Sequence, residues 1–481
     1  MFPPEPLLPW SLGKPYRLRP RAIKSAGDFS PAIPEEQGSC GNMHALPESN
    51  FIPVNDQTAY VGHRLAWEGE RLFGLHPLDR RQHTYVIGKT GAGKSTLLQN
   101  LFLQDVHAGR GAGLIDPHGD LATELLDQIP PNRIGDVVYF NAADFEHPVS
   151  FNLFAAADDD ARHRIASGIV MAFKSIWRDS WGPRLEYILF AAVAALLECQ
   201  NTSLLGLQRL LVDSGYRDWV VRQVRDPIVR AFWLGEFAQY DPRFRREAIA
   251  PIQNKVGQLL LGPGIRNILG QVRNRIDVRY IMDHRKIFVA NLSKGLLGED
   301  RASLLGALLI AQFQQAAMAR AAVPEADRTD FHLTVDEFQS FTTDSFISML
   351  SESRKYHLCL TLGHQYLDQL PAGVAEAVFG NIGTLIAFRV GEKDAAVLSR
   401  EFGGHYDSSL YSSADNHRVC VKMLTAGRYG DPFLAKTLPP LNFHYGLQES
   451  VIRQSRERYS KSRTVVESRI NRWLGGGKAP N

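Results

Sequence analysis

The chain is 481 residues long, with 44% hydrophobic and 22% charged residues. That balance belongs to a folded globular protein, excludes wholesale disorder, and at about 150 residues per domain leaves room for roughly three structural units. With 54 Lys and Arg against 51 Asp and Glu the formal charge is only +3, and the four cysteines (Cys40, Cys199, Cys359 and Cys420) are far apart, which excludes a disulfide scaffold or a zinc knuckle and fits a reducing cytoplasm.

Residues 1–55 hold ten prolines and no sustained periodicity, which predicts an irregular N-terminal arm. Its Lys14, Arg17, Arg19, Arg21 and Lys24 read first as a solvated basic stretch, and second as a contact for an acidic partner. No apolar signal core follows the initial Met, so the expected location is cytoplasmic. The longest apolar run, 187–197, rises only about 16 Å as a helix, half of a bilayer core, so no direct membrane span is predicted.

From residue 80 short apolar runs alternate with amphipathic stretches. Strands are predicted at 84–88, 113–116, 137–141, 287–292, 332–336, 358–363 and 384–390, with a weaker one at 419–424. Helical patterns fall at 95–107, 300–322, 345–356 and 393–402. This alternation predicts an α/β fold with a mostly parallel sheet, divided between residues 56–155 and 281–446. The intervening 156–280 breaks the pattern. Helices are predicted at 162–177, 184–198, 204–212, 217–225, 230–239 and 245–261, an all-helical insertion. Residues 447–481 form a basic tail, read as a charged helix with a flexible end that crosses to a neighbour or to nucleic acid.

The strongest motif is GKTGAGKS at 88–95, which matches GxxxxGK[ST] at every fixed position. An apolar strand leads in and an amphipathic helix follows, the context a phosphate-binding loop requires. Glycines let the backbone curl so that N–H groups converge on a phosphate, and the helix start adds its positive end. The predicted nucleotide cradle is Gly88, Lys89, Thr90, Gly91, Ala92, Gly93, Lys94, Ser95 and Thr96. Lys94 would reach the β- and γ-phosphates of ATP, and Ser95 would hold Mg2+. The strand 332–336 ends in Asp336-Glu337. Asp336 is assigned to the metal through water, and Glu337 to polarising the attacking water as general base. Asp116 is a second acidic strand end, ranked lower because no Glu adjoins it. It would hold metal or cap the next helix.

Two further positions carry open alternatives. Gln365, with His364 second, stands at the tip of the strand 358–363, either sensing the γ-phosphate or bonding local backbone in a turn. Arg354, at the end of the helix after the acidic pair, either compensates that helix terminus or reaches a neighbouring subunit's nucleotide as an arginine finger. Arg389 is a second candidate for the finger.

In their order, GKTGAGKS, IDPHGD, LTVDEFQSF, SESRKYHLCLTLGHQ and GTLIAFRVGEKDA resemble the type IV secretion coupling proteins (TraG/TraD-like) of conjugation systems, within the FtsK/HerA superfamily of DNA-translocating ATPases. The likeness runs over residues 60–445. It implies a RecA-like nucleotide domain, with the Gln365 strand between the P-loop strand and the Asp336 strand. It further implies that Arg354 is the finger acting in trans, and that the helical segment is the all-alpha domain facing the relaxosome. A hexamer with DNA in its central channel is implied as well. The membrane helices usual at the family's N-terminus have no counterpart in this sequence.

The function expected on these grounds is an ATP-hydrolysing, ring-forming DNA translocase, with relaxase or secretion-channel proteins as partners. Two alternatives stand beside it: a HerA-like helicase working with a nuclease in repair or phage defence, and a nucleotide-gated assembly platform that moves nothing. Local charge agrees with a polyanionic partner. Residues 213–286 carry 14 Lys and Arg against 8 Asp and Glu, and residues 448–481 carry 8 against 3.

Overall fold

A computed structural model of the chain describes residues 58–475 apart from 67–68, 156–158 and 372. The predicted arm at 1–55 lies outside the described residues. Residues Ile52–Asn481 group as one unit.

Twelve strands are assigned among the described residues: β1 (Ala59–Ala66), β2 (Gly69–Leu75), β3 (Thr84–Ile87), β4 (Gly111–Asp116), β5 (Val137–Asn141), β6 (Ile287–Asn291), β7 (Phe331–Val335), β8 (Leu358–His364), β9 (Thr384–Ala387), β10 (Arg418–Thr425), β11 (Arg428–Tyr429) and β12 (Phe433–Thr437). They form one sheet in the order β2-β1-β12-β10-β9-β3-β8-β7-β4-β6-β5, with β11 paired to β10. From β9 to β5 every pairing is parallel, and the β2 to β10 side is antiparallel. The expected α/β class with a RecA-like, mostly parallel sheet is therefore the observed one.

The parallel strands were legible because helices cover both faces. Every residue of β3, β4, β6, β7 and β8 is buried, so each reads as a mainly apolar run without the polar alternation of a half-exposed strand. β1 and β2 fall in 51–80, a stretch read only as able to hold a few strands, and β12 was not placed, because exposure along these strands dilutes their apolar signal. The strand expected at 384–390 stops at Ala387. Beyond it Val390 N–H donates to Tyr411 O, and Arg389 O accepts from Lys89 N–H, so the backbone has left the ladder to cross the P-loop.

Between β5 and β6 the chain runs through helices Asp159–Ile176, Pro183–Leu197, Leu204–Val212, Ser214–Val221, Pro227–Ala231, Phe237–Gln239, Pro242–Leu261, Pro263–Leu269 and Val278–Asp283. Asp213, Asp226, Asp241 and Asp277 cap four of them through their carboxylates. The helix expected at 230–239 is interrupted by a π-turn at Phe232–Glu236. The helical run shares a core with the sheet. Phe151, Phe140, Phe288, Phe313 and Phe331 meet in sequence at ring-centroid distances of 5.6, 6.3, 5.2 and 5.6 Å. Phe313 lies on the helix Glu299–Met318, which packs on Asp159–Ile176. With its 3-10 extension to Ala322, this is the one described helix long and apolar enough to cross a membrane, and 72% of its apolar window is buried inside the protein.

The charged helix read in the basic tail is observed as two, Gln448–Tyr459 and Arg463–Leu474, which pack on their own chain, and residues 476–481 of the end expected to be flexible lie outside the described residues. Val451, Ser455, Val466, Ile470 and Trp473 recur at helical spacing on the buried face, a stripe that the surrounding arginines mask in composition.

His332 on β7 is 2% exposed and neither ring nitrogen has a partner. Burial, reinforced by the Arg80 cation, lowers its pKa from 6.5 to about 4. Above pH 6.5 the ring is neutral in both folded and unfolded chains. As pH falls from 6.5 toward 4 the unfolded chain takes the proton first, so stability is lost across that window. His332→Leu is expected to lie within about 1 kcal/mol of wild type at pH 7 and to be about 2 kcal/mol more stable than wild type near pH 4.5. Urea denaturation at the two pH values reads this, and an equal offset at both would contradict it.

Candidate nucleotide site

Three neighbouring parallel strands, β3, β8 and β7, end side by side, and the proposed chemistry stands on their C-terminal tips. β3 leads into Gly88–Gly93, and the helix Lys94–His107 begins immediately after. Gly91 and Gly93 have φ of 78° and 117°, a conformation side chains rarely adopt, and a Cβ on Gly93 would meet His417 Nδ1 at 2.8 Å. The loop is pinned from outside: Gly88 N–H donates to His364 O, Lys89 N–H to Arg389 O, and His417 N–H to Ala92 O. The N–H groups of Gly91, Gly93, Lys94 and Ser95 donate to no protein acceptor among the described residues. These are the unfilled donors of a helix start, and they suit an anion. Lys94 Nζ donates to Gly88 O at 2.6 Å and Lys89 O at 3.3 Å, holding the charge inside the loop. Burial lowers its pKa, opposed by the carboxylates of Glu337 and Asp336.

The acidic pair is where the sequence puts it. Asp336 is 7% exposed, and its Oδ1 accepts from Glu337 N–H at 3.0 Å. Burial, with the charges of Glu337 and Asp116, raises its pKa to about 6 against the pull of Lys94. A carboxylate so crowded by its own sign fits a site that receives a cation. No cluster of three metal-ligating side chains occurs among the described residues. Mg2+ takes few protein ligands and completes its shell with water and phosphate. Ser95 at the helix start and Asp336 are the residues that would hold it. Asp116 is committed elsewhere: its Oδ1 accepts from His118 N–H and its Oδ2 from Ala122 N–H, capping the helix Asp120–Leu125. The helix-capping alternative is the observed one.

Glu337 has a left-handed backbone, φ 46° and ψ 49°. Its carboxylate is gripped at both oxygens. Gln365 Nε2 donates to Oε1 at 2.5 Å and Gln339 Nε2 donates to Oε2 at 2.6 Å. Gln365 thus touches the assigned base directly, beyond the local turn contact that was its alternative. Sequence reasoning missed Gln339, and only its place two residues past the acidic pair marks it. His364 is a structural residue: Nδ1 bonds Tyr85 Oη at 2.7 Å, and burial beside Lys94 keeps the ring neutral, with a pKa of about 3.

Arg354 is exposed, on the 3-10 turn Ser353–Tyr356 before β8. The seven residues of β8 separate it from Gln365, on the order of 20 Å of strand, so it does not reach its own P-loop. His83 ties this turn to the start of β3. Its Nε2 bonds Leu350 O at 3.0 Å and its Nδ1 accepts from Leu360 N–H at 3.1 Å. Arg389 is beside the P-loop, but its guanidinium donates to Asn416 Oδ1 and Ala414 O.

Gly363 on β8 leaves the space that Asp336 fills. A Cβ there would meet Asp336 Oδ1 at 2.7 Å and Leu98 Cδ1 at 2.9 Å. Gly363→Ala is expected to cost about 1–3 kcal/mol in chemical denaturation, and at least half of that cost should vanish in an Asp336→Ala background. An unchanged cost in the double variant would mean that Asp336 is not what the glycine accommodates.

Residues 330–425, which span Asp336, Glu337, Arg354 and Gln365, match the family model described as the TraM recognition site of TraD and TraG. No curated protein matches the sequence. Among solved structures, the unbound bacterial conjugative coupling protein TrwBdeltaN70 aligns with TM-score 0.57 and 14% identity, over 77% of this chain and 88% of that one. The plasmid coupling protein TrwB in complex with ADP and Mg2+ aligns with TM-score 0.55 and 15% identity, over 76% and 87%. VirB4 of Thermoanaerobacter pseudethanolicus aligns with TM-score 0.50 and 15% identity, over 82% and 99%. At these identities the structures establish a shared fold. The resemblance to type IV coupling proteins read from the motifs is borne out by that fold and by the TraG/TraD match over residues 330–425.

Proposed function

We propose that the chain is an ATP-hydrolysing coupling ATPase that assembles into a ring, a hexamer by analogy, and moves DNA through it. One observation carries the reading: the P-loop, the Asp336-Glu337 pair and Gln365 stand on the tips of three adjacent parallel strands, with Gln365 bonded to Glu337. TrwB has been captured with ADP and Mg2+, which supports nucleotide with magnesium as the ligand here.

In this reading bound Mg2+ offsets the charge of the phosphates. The loop amides and Lys94 orient the triphosphate. Glu337 takes the proton of the attacking water at Oε1 or Oε2, which requires that at least one amide donor release it. Gln365 bonds the same carboxylate, so release of Glu337 moves the tip of β8, and with it the strand whose far end carries Arg354. Arg354 acts on the site of a neighbouring copy, since its own site is a strand length away. The helical run from Asp159 to Asp283 serves as the all-alpha domain, and TraM-like or other relaxosome proteins are the expected partners. A pure assembly platform leaves the Glu337 carboxylate without a task.

Glu337→Gln is expected to keep nucleotide affinity within about threefold while turnover falls by about 100-fold or more, the scale of losing a general base. Fluorescent-nucleotide binding beside a phosphate-release assay checks it. Arg354→Ala should leave nucleotide binding intact and remove DNA-stimulated turnover, by a factor on the order of 1000 if it acts as a finger. Undiminished stimulated turnover in that variant would remove Arg354 from the mechanism.

A further inference from the structure

The helical run and the C-terminal helix Arg463–Leu474 enclose a cleft of about 320 Å³ that is separate from the P-loop. It lies beyond the β5 edge, five strand spacings from β3, on the order of 24 Å across the sheet. Five cations line it: Arg273, Arg275, Lys461, Arg469 and Arg472. No Asp or Glu does.

Outside the cleft, two tail cations are paired, Arg463 with Glu467 and Glu146, and Arg456 with Asp144, while Arg453 and Arg458 form no ion pair among the described residues. Inside it, Arg275 donates to Arg458 O at 2.8 Å, while Arg273, Lys461, Arg469 and Arg472 form no ion pair among the described residues. Like charges gathered around one cavity repel, a cost that a bound anion removes. The wall that brings them together is rigid. Trp473 is buried, packs edge-on to Tyr216 at 5.7 Å, and carries Arg209 over its ring at 5.1 Å. Arg469 and Arg472 are therefore presented on a fixed helix face, while Arg273, Arg275 and Lys461 reach the cleft from the segments between helices.

We propose that this cleft binds the phosphodiester backbone of single-stranded nucleic acid. Four of its five cations are guanidinium groups, whose planar forks match phosphate oxygens in pairs. The volume is at the low end of small-ligand cavities, room for a short stretch of strand and too little for a duplex. The proposal rests on the DNA-moving reading above and adds to it a holding point outside the nucleotide site.

The test is anisotropy of a fluorescent oligothymidine with the full chain across a salt series. Arg273→Glu/Arg469→Glu/Arg472→Glu reverses three exposed charges in the cleft. Arg222→Glu/Arg225→Glu/Arg230→Glu makes the same change in net charge at exposed positions outside it. The cleft variant is expected to bind at least ~10-fold more weakly near 0.1 M salt, with a salt slope lower by about 2, since each lost single-strand phosphate contact removes ~0.7. The control should lose less than about threefold. The milder Arg469→Ala should lose about twofold to fivefold with an unchanged melting temperature, which guards against a folding defect in the triple variant. Equal losses in the cleft and control variants overturn the site while sparing DNA binding itself. Wild-type chain that turns over ATP and binds no oligonucleotide overturns both the site and the DNA-moving reading. Oligoglutamate that occupies the cleft more tightly than oligothymidine makes it a site for acidic peptide and overturns the phosphodiester assignment.

Discussion

The parallel register of β3, β8 and β7 is the constraint on which the rest depends. Thr84, Thr361 and Thr334 are in line across the three strands, as are Tyr85, Leu362 and Val335. With register fixed, the strand tips that follow cannot be far apart, so a glycine loop, an acidic pair and a glutamine meet without further design. Parallel strands also need helical crossovers, and those crossovers bury both faces of the sheet. Burial in turn sets the electrostatics: it raises the carboxyl of Asp336, lowers the ammonium of Lys94 and keeps His364 neutral.

The same strands give the site two ends. At one end Gln365 holds Glu337, and at the other His83 joins the beginnings of β3 and β8 beside the Arg354 turn. Neither contact is long-range by itself. Each is made by a short side chain to a strand that runs the full depth of the sheet. Displacement of β8 at its tip is thus felt at the turn before it, because a hydrogen-bonded strand is stiff along its length. In the ring proposed above, this would be the physical connection between the cradle of one copy and the Arg354 guanidinium of the next.

Much of this was legible in the sequence, for identifiable reasons. The buried strands β3, β4, β5, β6, β7 and β8 announce themselves as apolar runs, and GKTGAGKS and Asp336-Glu337 fall at their ends. The order of the strands came from the family resemblance, since nothing in residue spacing places β8 between β3 and β7. What stayed hidden is tertiary. Gln339 is an ordinary polar residue until the left-handed turn at Glu337 brings it back onto the carboxylate. Asp116 looks like Asp336 in the sequence, and only its two backbone bonds show that it is spent on a helix start. The packing face of the tail stayed hidden because counting charges says nothing about which face of a helix they occupy.

The tail also has a task at the sheet margin. β5 is the last strand on its side, and the helix Gln448–Tyr459 lies along it, with Ser455 Oγ accepting from Tyr139 N–H at 2.9 Å and a bridge joining Val149 to Ser460. An uncovered margin of this kind offers a row of backbone donors and acceptors to any extended peptide. A chain cut short after Leu447 would keep every group of the nucleotide cradle and still be a poor protein to handle. Its bare outer strand would recruit copies of itself, and clumping would come before any loss of chemistry.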